Sequence, residues 1–357
     1  MEKSQKFLYK TPQGAEGLLL EDAYRRQSLT TQIQSLFHLW GYLPVQTPVF
    51  DFYDLYAPYV PDPDKAYRLV DREGDLLLLR NDITLFLARA LGMSLSEGHI
   101  PLRVFYNDAI LRHQDLEDIS ANEFYQIGAE FVGSAGPEGD WEILLLLQEV
   151  LNLLGLEKAR IHLGSRELFD LLIPQDADKS GIQKKILTRA FQSAGLSSEY
   201  PLGREEEFFS FIGDLAQARE WEKKFSDLLQ GPVKAAWDKL LTTLVTLEEA
   251  CGKDHFRLDL SEIGRQEYYT GLVFQAYHPG VGDAIAAGGR YDHLLSRFGL
   301  NSPSVGFSLM LKKVENLVDR PERFHPPKID GAQGKNFQER LQNANKLRLA
   351  GQACTLG

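Results

Sequence analysis

Residues 102–132 read LRVFYNDAILRHQDLEDISANEFYQIGAEFV, and this stretch decides what kind of sheet the chain builds. Two apolar segments, 102–111 and 123–132, flank a short polar loop. That layout predicts a long antiparallel hairpin. In the second segment Gln126 and Glu130 stand at an even spacing, so on a strand both point to one face. Polar groups on the inner face of an apolar strand are costly unless satisfied. The pair is therefore the strongest local sign of a polar ligand. The loop itself carries Asp115, Glu117 and Asp118, with no base after His113. A turn so charged repels a polyphosphate.

The rest of the chain sets limits around that hairpin. It has 357 residues, 43% hydrophobic and 25% charged, as in a globular protein with a sizeable core. A net charge of −11 argues against a general polyanion binder, because phosphate contacts need clustered Lys and Arg. Cys251 and Cys354 lie far apart and suggest neither a disulfide framework nor a metal knuckle. The opening MEKSQKFLYKTPQG has no apolar core of a secretory signal, and the apolar run at 144–147 is far too short to span a membrane. The expectation is a cytoplasmic protein without metal or cofactor.

Residues 18–40 predict a helix, with Leu29, Ile33, Leu36, Phe37 and Trp40 on one face and Gly41 as its C-cap. In YLPVQTPVF the residues Val45, Thr47 and Val49 alternate as in a strand, and Pro44 and Pro48 confine that strand to an edge or interface. AYRLVDREGDLLLLR predicts a hairpin turning at Glu73-Gly74-Asp75. NDITLFLARALG predicts a helix capped by Asn81 or Asp82 and ended by Gly92. Trp141–Leu154 predicts an apolar helix and ARIHLG a strand. Residues 165–255 turn helical and polar, as a helical insertion would, and strands return in FRLDLSEI, EYYTGLVFQAYHP and AIAAGGRYDHLL. Strands mixed with helices, without a repeating βαβ unit, predict an α+β fold on a mostly antiparallel sheet. Residues 1–325 read as one core. The 326–357 tail is too short to bury a core of its own and reads as a remnant or truncated piece.

No phosphate loop, dinucleotide fingerprint, HExxH or CxxC is present. Gly288-Gly289 is a tight turn or a close backbone approach to a ligand. Tyr268 and Tyr269 form a buried aromatic pair unless other groups converge on them. Asp82 and Thr84 could simply cap a helix, and Arg112 could pair with any surface carboxylate.

Convergence comes from the order of the motifs. GYLPVQTPVF resembles motif 1 of the class II aminoacyl-tRNA synthetases, with Pro48 as its proline. LRNDIT at 79–84 resembles the histidyl-tRNA synthetase LRPEGT box, and LRHQ…NEFYQIGAE resembles motif 2. EYYTGLVF and AAGGRYDHLL resemble the histidine-specific stretches of that family, and GFSLMLKK at 306–313 resembles motif 3. The resemblance covers roughly residues 10–320. It implies a class II core with a mostly antiparallel sheet flanked by helices, and a dimer formed through the motif 1 segment.

The departures are selective. The family's motif 2 loop bears an arginine; here it is DLEDISAN. Its motif 3 ends in an arginine after an acidic residue; here Lys312 and Lys313 stand there. Lysine lacks the planar bidentate fork. The arginine before the tyrosine pair is matched by Gly264, and a complete anticodon-binding domain is missing. Asp82, Thr84, Arg112, Gln126, Glu130, Tyr268 and Tyr269 persist as histidine-handling positions. A histidyl-tRNA synthetase paralogue of this kind resembles the regulatory subunits of ATP phosphoribosyltransferase, which catalyses the first step of histidine biosynthesis. That resemblance implies no catalytic residues, a short-form catalytic subunit as partner, a homodimer within a hetero-oligomer, and free histidine as effector. It implies no tRNA and no membrane. The alternatives are a working histidyl-tRNA synthetase, another synthetase-like amino-acid-activating enzyme, or a scaffold with an empty pocket.

Overall fold

The computed structural model describes residues 11–12, 14–15, 17–60, 62–113, 122–174, 176–190, 203–318, 326 and 329–356. Asp115, Glu117 and Asp118 of the acidic loop lie outside the described residues. The chain divides into two compact units. One comprises residues up to 16 together with 32–319; the other comprises 17–31 and the residues after 319.

The large unit is built on a nine-stranded sheet. In spatial order its strands are β1 (Leu43–Pro44), β5 (Leu102–Leu111), β6 (Glu123–Val132), β12 (Ser304–Met310), β11 (Ala286–Arg290), β10 (Leu272–Tyr277), β7 (Arg160–Ser165), β9 (Phe256–Asp259) and β8 (Ile212–Gly213). β1 runs parallel to β5 and β7 parallel to β9; the other neighbours are antiparallel. The α+β expectation holds. The predicted hairpin is β5–β6, paired from Leu102↔Val132 to Leu111↔Glu123. A second, three-stranded sheet joins β2 (Phe50–Phe52), β4 (Leu76–Leu79) and β3 (Arg68–Val70). Its β3–β4 turn is the one read at Gly74, which adopts a φ of 95°.

Helix α1 (Leu20–Leu39) ends as expected at Gly41, whose φ of 81° suits a residue without Cβ. Leu29, Ile33 and Phe37 are fully buried. Helix α4 (Pro137–Leu153) buries Ile143, Leu144, Leu147, Val150 and Leu151 against β12 and the long helix α9 (Gly231–Cys251). Each such side chain contributes roughly 1.5–3 kcal/mol of transfer free energy. Two buried guanidiniums tie loops to this frame. Arg80 donates to the Ala109, Thr47 and Pro48 carbonyls. Arg290 donates to Asp140 and to the Ser134 and Gly136 carbonyls.

Three expectations need correction. Val45, Thr47 and Val49 do not form a strand; Leu43–Pro44 joins the large sheet, Phe50 opens β2 of the small one, and Pro48 between them has no N–H to carry a ladder through. Gly92 does not end its helix. Helix α3 runs from Ile83 to Ser94, and a Cβ on Gly92 would lie 2.2 Å from the Phe298 carbonyl oxygen, so this glycine serves close packing. The 165–255 region holds five helices among the described residues, yet it also supplies β8, which pairs with β9 at the sheet edge.

In the small unit, β13 (Asp330–Gly331) pairs in parallel with β14 (Cys354–Thr355). Between them α11 (Phe337–Leu349) is capped by Asn336 and packs Ala344 with Ala332 and Cys354. The tail therefore has a small apolar cluster of its own. No helix among the described residues is long and apolar enough to cross a membrane.

Candidate functional site

The inner face of β6 faces the first turn of α3, and the site forms between them. Asp82 is the N-cap of α3, and its Oδ1 accepts from the Leu85 N–H at 3.1 Å. Its Oδ2 accepts from Gln266 Nε2 and from the Tyr268 hydroxyl, both at 3.1 Å. One turn into the helix, the Thr84 hydroxyl donates to Glu130 Oε1 at 3.0 Å. The Tyr291 hydroxyl donates to Glu130 Oε2. Capping and site geometry are thus the same interaction: the residue that starts the helix also fixes the tyrosine.

Aromatic rings wall the cluster. The Tyr268 ring lies 5.1 Å from that of Tyr269 and 5.7 Å from that of Tyr291, the latter edge-on. Tyr106 on β5 closes the back and is fully buried. Glycines make the room. A Cβ on Gly306 would fall 1.5 Å from Glu130 Oε2, and one on Gly289 would fall 2.7 Å from the Tyr269 ring. Gly264, with a φ of 78°, stands 2.6 Å from the same ring by that measure. The backbone at the position where the resemblance expects an arginine is therefore shaped for no side chain.

Electrostatics follow from the burial. Glu130 is 1% exposed. Loss of hydration pushes its carboxyl up to about 8, against the opposing effect of the Tyr291 and Thr84 hydroxyls. Asp82 is also raised by burial, while the Leu85 N–H, the Tyr268 hydroxyl and the charge of Arg112 draw it back down. Burial raises the hydroxyls of Tyr106, Tyr268, Tyr269 and Tyr291.

Of the residues singled out from sequence, Asp82, Thr84, Glu130, Tyr268 and Tyr269 come together. Gln126 is buried on the same face as Glu130 but about 13 Å further along the strand, opposite Asp108 and Met310. Arg112 lies just beyond β5, its guanidinium 6.0 Å from the Phe124 ring. Both belong to the loop end of the hairpin. Tyr291, Tyr106 and Gln266 were missed. GGRYD did contain Tyr291, but nothing local links it to Glu130.

At the other end of motif 3, Lys313 Nζ bonds Asp283 Oδ2 at 3.1 Å and the Ala284 carbonyl at 3.3 Å. Several strands further along the same sheet, on β7 and β9 and just after β9, His162, Asp259 and Glu262 cluster within reach of one another. Arg189 and Ser261 bond Asp259, while Gln275 and Tyr277 bond Glu262, so that group is closed by its own partners.

One buried carboxyl, Glu130, one half-buried carboxyl, Asp82, and four tyrosines make a polar cluster whose donors and acceptors suit a small ligand with N–H groups, with the Arg112 guanidinium toward the loop end of the hairpin. The histidyl-tRNA synthetase family matches residues 14–314. An ATP phosphoribosyltransferase regulatory subunit of Moorella thermoacetica is 31% identical over 97% of this chain and 91% of its own length. One of Shouchella clausii is 30% identical over 99% and 92%. In fold, the chain is similar to an ATP phosphoribosyltransferase regulatory subunit/histidyl-tRNA synthetase from Bacillus halodurans, with a TM-score of 0.84 at 23% identity over 98% and 92% of the two chains. A histidyl-tRNA synthetase from Nostoc gives 0.78 at 18% identity over 97% and 85%.

Proposed function

The chain belongs to the histidyl-tRNA synthetase family and, within it, to the ATP phosphoribosyltransferase regulatory subunits; from that premise we propose that it is a non-catalytic cytoplasmic subunit that a separate short-form catalytic chain needs for the first step of histidine biosynthesis. Its core, residues 1–325 with the 165–255 insertion, forms a homodimer within the hetero-oligomer. Its pocket binds free histidine through Asp82, Thr84, Arg112, Gln126, Glu130, Tyr268 and Tyr269, and occupancy lowers the activity of the complex. The observation that carries this proposal is the whole-length kinship with regulatory subunits. Two features support it: Asp82, Thr84, Glu130, Tyr268 and Tyr269 come together in one polar cluster, and the lysine at the end of motif 3 is held by Asp283. For feedback to follow, histidine must bind one state of the complex more tightly than another.

Co-expression with a short phosphoribosyltransferase from the same organism tests it. The expected result is a stable complex that transfers phosphoribosyl groups to ATP, while the chain alone does not. No affinity between the two chains would overturn the proposal.

A further inference from the structure

Among the described residues Glu130 is a buried acid without a cation against it. Its two oxygens receive hydroxyls from Thr84 on α3 and Tyr291 after β11. β12 brings Gly306 against it, with no side chain at all. β5 brings the Tyr106 hydroxyl, and the 264–271 segment brings Tyr268 and Tyr269. Tyr42 also senses its charge, but the Tyr42 hydroxyl is bound to Glu142. The second carboxyl of the pocket, Asp82, adds to the negative field. Arg112 acts on Asp82 instead. A carboxylate taken out of water with neutral partners only is strongly disfavoured against its protonated form.

Resting on the histidine reading above, we propose that the empty pocket holds Glu130 as a neutral carboxylic acid, which donates its proton to the unprotonated imidazole of the ligand. On binding, the O–H of Glu130 points at the bare ring nitrogen, and the proton is shared or passed between them; none is taken from solvent or given to it. The site then selects neutral imidazole over imidazolium. The burial-driven shift of Glu130 to about 8 agrees with this. An unperturbed imidazole titrates near 6.5, so about 6.5 to 8 is the window in which both partners are neutral. Below it the ligand must lose a proton before binding. Above it Glu130 must regain one. Affinity should fall on either side, by up to about tenfold per pH unit.

Two measurements test this. Infrared difference spectra of the ligand-free full chain, wild type minus Glu130→Gln, should show a protonated carboxyl at pH 7 that ionises near pH 8. Absence of that band overturns the proposal whether or not histidine binds. Calorimetric titration with histidine from pH 5.5 to 9 should give a maximum between about 6.5 and 8, and Glu130→Gln should lose the fall above pH 8. Affinity that climbs as pH falls to 6.5 and stays at its maximum below it would mean a Glu130 already ionised before binding and reading imidazolium, and overturns it too. A carboxyl band with no histidine binding at any pH leaves Glu130 neutral and removes the proposed ligand, so the two failures are distinguishable.

Discussion

The Tyr291 hydroxyl meets Glu130 Oε2 across a sequence separation of 161 residues, joining β6 to the residue that follows β11, the strand in which Gly288 and Gly289 are paired on both sides rather than forming a tight turn. Together with Thr84 it leaves Glu130 hydrogen-bonded by neutral hydroxyls, with the negative field of Asp82 nearby. The pocket is held by this one buried acid, and the consequences can be measured.

Removing the acid should remove the ligand. Leaving a buried ring nitrogen without its hydrogen-bond partner costs on the order of 1–3 kcal/mol. Glu130→Ala should therefore weaken histidine binding about tenfold or more, since about 1.4 kcal/mol is tenfold. Gly306→Ala should do the same from the opposite side, because the new methyl would sit 1.5 Å from Glu130 Oε2. Calorimetry on both variants, with light scattering to confirm an intact assembly, checks this; wild-type affinity in both would count against the pocket.

Glu130 should also tilt stability with pH. Its folded-state carboxyl stands at about 8, above the ordinary value of 4.5, so the folded state holds a proton that the unfolded state has lost. Stability from this group is full below pH 4.5 and falls as pH rises through 8. The total is of order a few kcal/mol. The melting temperature of Glu130→Gln, relative to wild type, should rise steadily between pH 5 and 8. A constant difference would show that the group is not shifted.

The chain should form no aminoacyl-adenylate. Adenylyl transfer needs positioned positive charge at the phosphates. Here Lys313 is bound to Asp283. Histidine-dependent exchange of pyrophosphate into ATP should be at background for the pure protein, and Lys313→Arg should not restore it. Robust exchange would identify a working synthetase instead.

The three-stranded sheet should lie in the dimer. Val49, Phe50, Phe52 and Val70 are each about half exposed or more, an apolar surface rare on a monomer. Phe50→Glu together with Val70→Glu should shift the protein toward monomer in size-exclusion with light scattering, and leave histidine affinity within a few-fold. A dimer unmoved by both charges would place the interface elsewhere.

Much of this was legible in sequence because it is local. The β5–β6 hairpin, the Asp82 cap and the Gly74 turn each depend on residues within one element or one turn. What was illegible depends on distance. Gly92 has the look of a helix end, but it exists for the Phe298 carbonyl, some two hundred residues away. Tyr106 has the alternation of a core strand residue, and only the fold makes it the back wall of a polar pocket. The family resemblance bridged part of that gap by putting Asp82, Glu130 and the tyrosine pair in one pocket. It did not supply the hydroxyl of Tyr291.

The order of strands sets a schedule for synthesis. β6 is finished at Val132, but its second neighbour, β12, begins only at Ser304. For about 170 residues of translation, roughly 10–30 s at bacterial rates, the β5–β6 hairpin carries a ten-residue edge with unpaired amides. An open apolar edge of that length is a template for the wrong partner. Nascent chains halted before residue 304 should bind chaperones and yield to protease within 123–132, whereas chains released after residue 318 should resist both. In this fold the strand that completes the sheet's centre is also among the last to be made, so the half-built protein is most exposed where the finished one is most buried.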